Sequence, residues 1–407
     1  MTPDEHIPFA RPFIGKEEEE AALRVLRSGW LTTGAEALAF EREFAAFLHA
    51  PPPQDTGTPN AEGFQPAGIR ALAVNSATSG LHLALEACGV GSGDLVLVPS
   101  LTFAATAEVA RYLGADPVFV DVAPGTFHMD PAALEKTLRG LPAGRAKAVI
   151  PVHYGGLVRF MDEIMEIARR YGLKVIEDAA HSFPSLTATE GERHSPRFAG
   201  TIGDAGVFSF YATKTITTGE GGMIVTRDAA IAERVSVMRS HGIDRSVWNR
   251  YSDAAAPWYY EVVAAGYKCN LPDLLAAVGR AQLAKAWDLL RERRRIAAAY
   301  DGAFSGDPRF VLPPTAPGDA RHLYSLRLSA GVSRDEFVEK LKCAGIGASV
   351  HFIPLHVMPF YRERYGLSAG DLPCTMESFL AEVSLPIWPG MGEERVARVI
   401  AAVRASC

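Results

Sequence analysis

The stretch Phe208-Ser209-Phe210-Tyr211-Ala212-Thr213-Lys214-Thr215-Ile216-Thr217-Thr218-Gly219-Glu220-Gly221-Gly222 sets a lysine between an apolar, strand-like segment and a glycine-rich turn. A lysine amine becomes a useful nucleophile when a confined site lowers its pKa, and it then forms an imine with a carbonyl. Most lysines are solvated surface charges, so Lys214 gains meaning only from what surrounds it. Outward from this stretch, strand and helix patterns alternate. Short apolar runs at 69–73, 95–98, 118–120, 148–152, 175–178 and 222–226 read as strands. Helical spacing follows between them: Leu81, Ala84, Leu85 and Cys88 with a stop at Gly89, a helix around 104–113, and another around 162–171 stopped by Gly172. Such alternation predicts an α/β fold, a mostly parallel sheet covered by helices on both faces.

In open sheets of this kind, ligands bind beyond the carboxyl ends of the strands, and three such ends carry suggestive residues. Val175-Ile176-Glu177-Asp178 ends in a carboxylate that can pair with the pyridinium nitrogen of pyridoxal phosphate and keep the ring an electron sink; an N-cap or loop carboxylate is the competing reading. Val74-Asn75-Ser76-Ala77-Thr78-Ser79-Gly80 is a small, hydroxyl-bearing turn opening a helix, where free N–H groups favour a phosphate; an ordinary Ser/Thr cap competes. Pro99-Ser100-Leu101-Thr102-Phe103 places Phe103 where an aromatic face covers a planar cofactor, with a core phenylalanine as the plainer alternative.

Together with Ser28-Gly29-Trp30-Leu31-Thr32-Thr33-Gly34, Gly266-Tyr267-Lys268-Cys269-Asn270-Leu271-Pro272-Asp273 and Ser384-Leu385-Pro386-Ile387, these motifs resemble the DegT/StrS family of pyridoxal-phosphate-dependent sugar aminotransferases over nearly the whole chain. The resemblance implies the fold-type-I, aspartate aminotransferase-like transferase fold, with pyridoxal 5'-phosphate as cofactor. It implies that Lys214 carries the cofactor as a Schiff base, that Asp178 holds the pyridine nitrogen, that Phe103 stacks on the ring and that His181 lies beside it. Thr78, Ser79 and Ser209 would hold the phosphate. Asn270 matches the asparagine that reaches the cofactor phosphate of a neighbouring subunit, which implies a homodimer with shared sites. His351 and His356 lie in a segment resembling the family's substrate-facing region, each equally readable as a structural histidine. The turn reads Ser76-Ala77-Thr78 where the family often has Ser-Gly-Thr. That variant is also found in the branch acting at C4 of UDP sugars, and Pro151-Val152-His153-Tyr154-Gly155-Gly156 and Tyr361-Arg362-Glu363-Arg364 look closest to the member that places a 4-amino group on UDP-arabinose.

The implied reaction is amino transfer from an amino acid, L-glutamate by resemblance, to a nucleotide-linked ketosugar, at C4, for surface polysaccharide or glycoside biosynthesis. A dehydratase branch carries histidine in place of the Schiff-base lysine, so Lys214 argues against it. A cyclitol or 3-ketosugar aminotransferase shares every motif above. A non-catalytic regulatory or binding protein of the same fold stands as a third reading.

Composition sets outer bounds. A chain of 407 residues with 48% hydrophobic content exceeds what one core usually supports; we expect a large cofactor-binding domain with its N-terminal segment at 1–259, then a long linking helix from near Asp273 and a smaller α/β domain within 260–407, with a strand at 323–328 and a helix at 332–344. Net charge of −6 gives no electrostatic footprint for nucleic acid or an anionic membrane. Arg291 to Arg295, broken by Glu292, reads as a solvated helix face, and Glu17 to Glu20 as an exposed acidic first turn. Residues 51–68, opening with Pro51-Pro52-Pro53, read as an inserted surface loop. Five cysteines without paired spacing suggest reduced thiols and a cytoplasmic setting, and no metal motif is present. The chain opens without a basic-then-apolar signal segment and contains no run long enough to span a membrane.

Overall fold

The strands are short runs whose successive side chains enter different cores. A computed structural model describes residues 6–53, 68–187, 196–244 and 259–407. Most of the inserted segment, 54–67, lies outside the described residues. Seven strands, β1 (Arg70–Val74), β2 (Leu95–Pro99), β3 (Asp116–Val120), β4 (Ala146–Val149), β5 (Lys174–Asp178), β6 (Ala205–Ser209) and β7 (Gly222–Thr226), form one sheet in the order β1-β7-β6-β5-β4-β2-β3. Leu97, Val175 and Phe208 join one core, while Val96, Ile176 and Val207 join the other. Burial on both faces is why these strands read as near-continuous apolar runs. Helix Ala35–His49 covers the first face through Phe40 and Phe44, the latter 4.8 Å from the Phe183 ring and 5.2 Å from that of Phe208. Helix Ala77–Ala87 covers the second face with Leu81, Leu83 and Leu85.

β7 is antiparallel to both neighbours, and the other pairs are parallel. Its first residue therefore arrives at the edge where β1 and β6 end: Gly222 pairs with Val74 and with Ser209. A Cβ on Gly222 would lie 2.8 Å from both Ala77 N and Ser76 C, and 2.9 Å from Phe208 O. Three segments meet there through backbone alone, and backbone cannot swing aside. Gly222→Ala is expected to cost about 1–3 kcal/mol, the usual range for overpacking, read as a lowered Tm; an unchanged Tm would contradict this packing.

A second sheet, β8 (Phe310–Val311), β9 (Tyr324–Leu328) and β10 (Glu382–Leu385), is antiparallel in the order β10-β9-β8. Its core draws on helices Ala286–Phe304, Arg334–Cys343 and Gly392–Ala405, and also on Ile7, which bridges to Ile346.

Four expectations change. The run expected as a strand over 148–152 stops at Val149: Pro151 has no N–H for a ladder, and Val152 makes only an isolated bridge to Asp178. The long helix beginning at Asp273 is two helices, Asp273–Ala284 and Ala286–Phe304, broken at Lys285. Lys285 reaches Glu18 at 2.8 Å, and Glu18 also accepts from Gly15 N at 2.7 Å, so this member of the acidic turn is buried rather than exposed. The arginine run is split by helical geometry. Arg291 and Arg295 pair with Asp288 and Glu292 at the surface, but Arg293 is buried and donates to Ile387 O at 2.8 Å and His322 O at 3.1 Å.

Candidate active site

One edge of the large sheet opens into a cavity of about 560 Å³, within the range typical of small-molecule sites. Among the residues singled out from sequence, Lys214, Asp178, Phe103, Thr78, Ser209, His181 and His351 line it. Ser79, Asn270 and His356 are not in its wall.

Each placement has a local cause. Asp178 is the last residue of β5, so its side chain leaves the sheet at the ligand-binding edge. Thr106 Oγ1 donates to its Oδ2 at 2.8 Å, and Ala180 N donates to its Oδ1 at 3.2 Å. Thr106 is in turn bonded to Thr102 at 2.7 Å, one helical turn earlier. Burial pushes the Asp178 carboxyl up from its ordinary value, with the Thr106 bond opposing; a cation against it would pull it back down.

Lys214 sits in the tight turn after β6, with its N–H donated to Tyr211 O at 2.9 Å and its side chain open to the cavity. Burial lowers its amine to about 8, the charge of Asp178 opposing and that of Arg293 adding to the shift. The sign gives a pH expectation. Only the neutral amine attacks an aldehyde, so capture of pyridoxal phosphate by cofactor-free protein should speed up with rising pH and level off above about 8. Stopped-flow absorbance reads this directly, and a rise continuing toward the ordinary lysine value near 10.4 would contradict it.

Ser76 caps helix Ala77–Ala87, its Oγ accepting from Ser79 N at 3.1 Å. This places Ser79 within the cap, while Ser76, Ala77 and Thr78 face the cavity together with Ser209 from the end of β6. A helix N-terminus with the Thr78 and Ser209 hydroxyls beside it, and that of Ser76 at its cap, is an anion site. Phe103 is 61% exposed, which excludes the core reading and leaves its ring at the cavity wall. His181 is buried, and Gly155 N donates to its Nδ1 at 3.3 Å. Burial holds its imidazole well below the ordinary value, with Lys214 and His351 adding to this, so it is neutral.

His356 belongs to the interior. It is fully buried, its Nδ1 is 2.7 Å from Ser100 Oγ, and its backbone N–H donates to the same oxygen. Asn270 is bridged to Val74, donates from Nδ2 to Thr33 Oγ1, and has a buried Oδ1 without a partner among the described residues. Sequence reading gave Thr106 and His322 no role and placed Ser76 only as part of the helix-opening turn. The Thr102–Thr106 spacing of one helical turn was available as a signal; His322 stands in a loop before β9 with no pattern around it.

These residues fit a phosphorylated pyridine aldehyde: an amine for the aldehyde, a buried carboxylate with no ion pair among the described residues for the ring nitrogen, an aromatic ring for its face and a helix terminus for the phosphate. Among the described residues no group of three His, Cys, Asp or Glu side chains could hold a metal ion, and no helix is long and apolar enough to cross a membrane.

The family model described as the DegT/DnrJ/EryC1/StrS aminotransferase family matches residues 12–52 and 68–404. The spore coat polysaccharide biosynthesis protein SpsC of Bacillus subtilis (strain 168) is 42% identical over 405 residues, spanning 98% of this chain and 96% of its own. The putative sugar aminotransferase Spr1654 from Streptococcus pneumoniae superposes with a TM-score of 0.84 in its PMP form, at 28% identity, and 0.83 in its PLP form, at 29%, each covering 98% of both chains. Helicobacter pylori PseC, an aminotransferase involved in the biosynthesis of pseudoaminic acid, superposes with a TM-score of 0.84 at 28% identity, covering 98% of this chain and 99% of its own.

Proposed function

The chain belongs to the DegT/DnrJ/EryC1/StrS aminotransferase family, and from that premise we propose that this pyridoxal-phosphate-dependent sugar aminotransferase moves an amino group from L-glutamate to C4 of a nucleotide-linked ketosugar. The observation that carries the reading is the convergence of Lys214, Asp178, Phe103, Thr78 and Ser209 on one cavity. Bound there, pyridoxal phosphate supplies an electrophilic aldehyde and an acceptor for the electron pair left when the donor's α proton departs.

The chain's own residues do the rest. Lys214 would hold the cofactor at its aldehyde, and its amine, once free, would take the proton from the donor's Cα and return it on the other side of the transfer. Asp178, kept in place by Thr106 and Ala180 N, holds the ring nitrogen's proton. The helix terminus at Ser76–Thr78 and the Ser209 hydroxyl would anchor the phosphate. The keto acid leaves, the ketosugar enters, and the same groups run the steps in reverse, so kinetics are ping-pong. The wall beyond these groups carries His181, His322 and His351, all held below the ordinary histidine value by burial. Neutral imidazoles and hydroxyls suit a hydroxylated sugar. The Ser76-Ala77-Thr78 turn and the Pro151 to Gly156 string support C4 and a UDP carrier through their likeness to that branch.

A panel of nucleotide-linked 4-keto and 3-keto sugars with glutamate, read by keto-acid release, tests the assignment. Turnover with 4-ketosugars is expected; turnover confined to 3-ketosugars or cyclitol ketones would replace the C4 reading.

The functional unit we propose is a homodimer in which Asn270 reaches the partner's cofactor phosphate. Loss of one hydrogen bond to a charged group costs about 1.5–3 kcal/mol, roughly ten- to a hundredfold in cofactor retention. Mixing inactive Lys214→Ala protein with Asn270→Ala protein, at a cofactor concentration that leaves the latter largely unloaded, should restore part of the activity under subunit exchange, since one site per heterodimer then carries neither lesion. No recovery despite proven exchange would contradict the shared site.

A further inference from the structure

Behind His351 lies a closed set of hydrogen bonds that the reaction above does not use. It starts at Glu382, the first residue of β10, which is fully buried. Strand alternation puts Glu382 and Ser384 on one face, and the β9 register sets Ser325 directly across from Ser384. Ser384 Oγ donates to Glu382 Oε1, and His351 N donates to Glu382 Oε2 at 2.9 Å. The His351 ring closes the path, its Nδ1 2.9 Å from Ser384 Oγ. Tyr154 donates to His351 O and its hydroxyl lies 3.1 Å from Ser325 Oγ, itself 3.3 Å from Ser384 Oγ. His351 lines the cavity. With Nδ1 turned back to Ser384, Nε2 is the nitrogen left for a substrate.

We propose that Glu382 is a positioning residue for the amination: through the Ser384 hydroxyl it decides which nitrogen of His351 carries the proton, and so whether His351 meets a substrate as acceptor or as donor. Proton counting fixes the two states. With Glu382 ionised, the Ser384 O–H is given to the carboxylate, Ser384 Oγ must accept from Nδ1–H, and Nε2 is bare. With Glu382 protonated, its O–H is given to Ser384 Oγ, the Ser384 O–H turns to Nδ1, and Nε2 bears the proton. The states differ by one proton. A proton arriving on Nε2 is matched by passage of the Nδ1 proton to Ser384 Oγ and of the Ser384 proton to Glu382, so the ring never becomes an imidazolium. That route matters because burial, reinforced by Lys214, pushes the His351 imidazolium down to about 4.

The switch falls in a useful range. Burial raises the Glu382 carboxyl to about 7, against the bonds from Ser384, His351 N and Ser325 and the charge of Arg334. Tyr154 also faces this pair, held in its neutral form by burial and by Glu382. Around the His351 ring stand Lys214, His181 and His322. Among the described residues no cation forms an ion pair with Glu382.

The catalytic meaning rests on the aminotransferase reading, but the tautomer does not, and the test separates them. Protein loaded with cofactor and labelled with ¹⁵N-histidine is followed by long-range ¹H–¹⁵N spectra without substrate, the His351 signal being assigned by its loss in His351→Gln. Wild type should pass from Nδ1–H to Nε2–H as pH falls through about 7. In Glu382→Gln the amide oxygen takes the His351 N–H and its NH₂ faces Ser384, which locks Nε2–H at every pH. Ser384→Ala should abolish the step by removing the bridge, and it serves equally if the glutamine variant fails to fold. A wild-type ring bearing Nε2–H throughout, or the same step surviving in either variant, would overturn the proposal. A failed ketosugar panel with the step intact would instead remove only the proposed substrate.

Discussion

Lys214→Ala should fold, bind pyridoxal phosphate without a covalent link, and lose amino transfer. The side chain opens to the cavity rather than filling the core, so its removal leaves no buried void to collapse. Loss of a positioned acid–base group alone costs roughly 10²- to 10⁴-fold, and loss of covalent attachment adds to that. Two readings check it: disappearance of the visible band of lysine-bound cofactor, and single-turnover deamination of glutamate. A variant that turned over at a near-normal rate would remove Lys214 from the centre of the chemistry.

Asp178→Asn should be the next most damaging change. The carboxylate is buried, both oxygens are oriented by Thr106 and Ala180 N, and no cation among the described residues pairs with it. A pyridinium placed there completes a buried ion pair, and removing one partner of such a pair costs about 3–5 kcal/mol, roughly two to three and a half decades in rate at about 1.4 kcal/mol per decade. The amide keeps the volume, so the cofactor should still bind while proton removal at the donor's Cα slows. Unchanged single-turnover kinetics would contradict the role given to Asp178.

Much of this was legible because the large sheet is buried on both faces. Strands such as Leu95-Val96-Leu97-Val98 then carry no polar alternation to confuse the pattern, and their ends mark where Asp178, Phe103 and the Ser76 turn must emerge. What was not legible depended on distant partners or on a rule applied too broadly. His356 is explained by Ser100, 256 positions away, and nothing local distinguishes it from His351. The arginine run looked like a solvated face, yet Leu289, Arg293, Ile296 and Tyr300 recur at helical spacing on the buried side. Periodicity outranks charge there. Glu18, in step with Ala21 and Val25, repeats the lesson. The break at Lys285 carries no glycine or proline to announce it, and it is fixed instead by the ion pair with Glu18 across the chain.

Cofactor-loaded protein given glutamate labelled with ¹⁵N at the amino group, together with a nucleotide-linked 4-ketosugar, provides the most direct test of the account. Mass spectrometry of the sugar should find the ¹⁵N bonded to it, in amount equal to the keto acid released, with none transferred by Lys214→Ala. Keto acid formed while the label appears as ammonia, or no label in any ketosugar from a protein that holds the cofactor on Lys214, would contradict it.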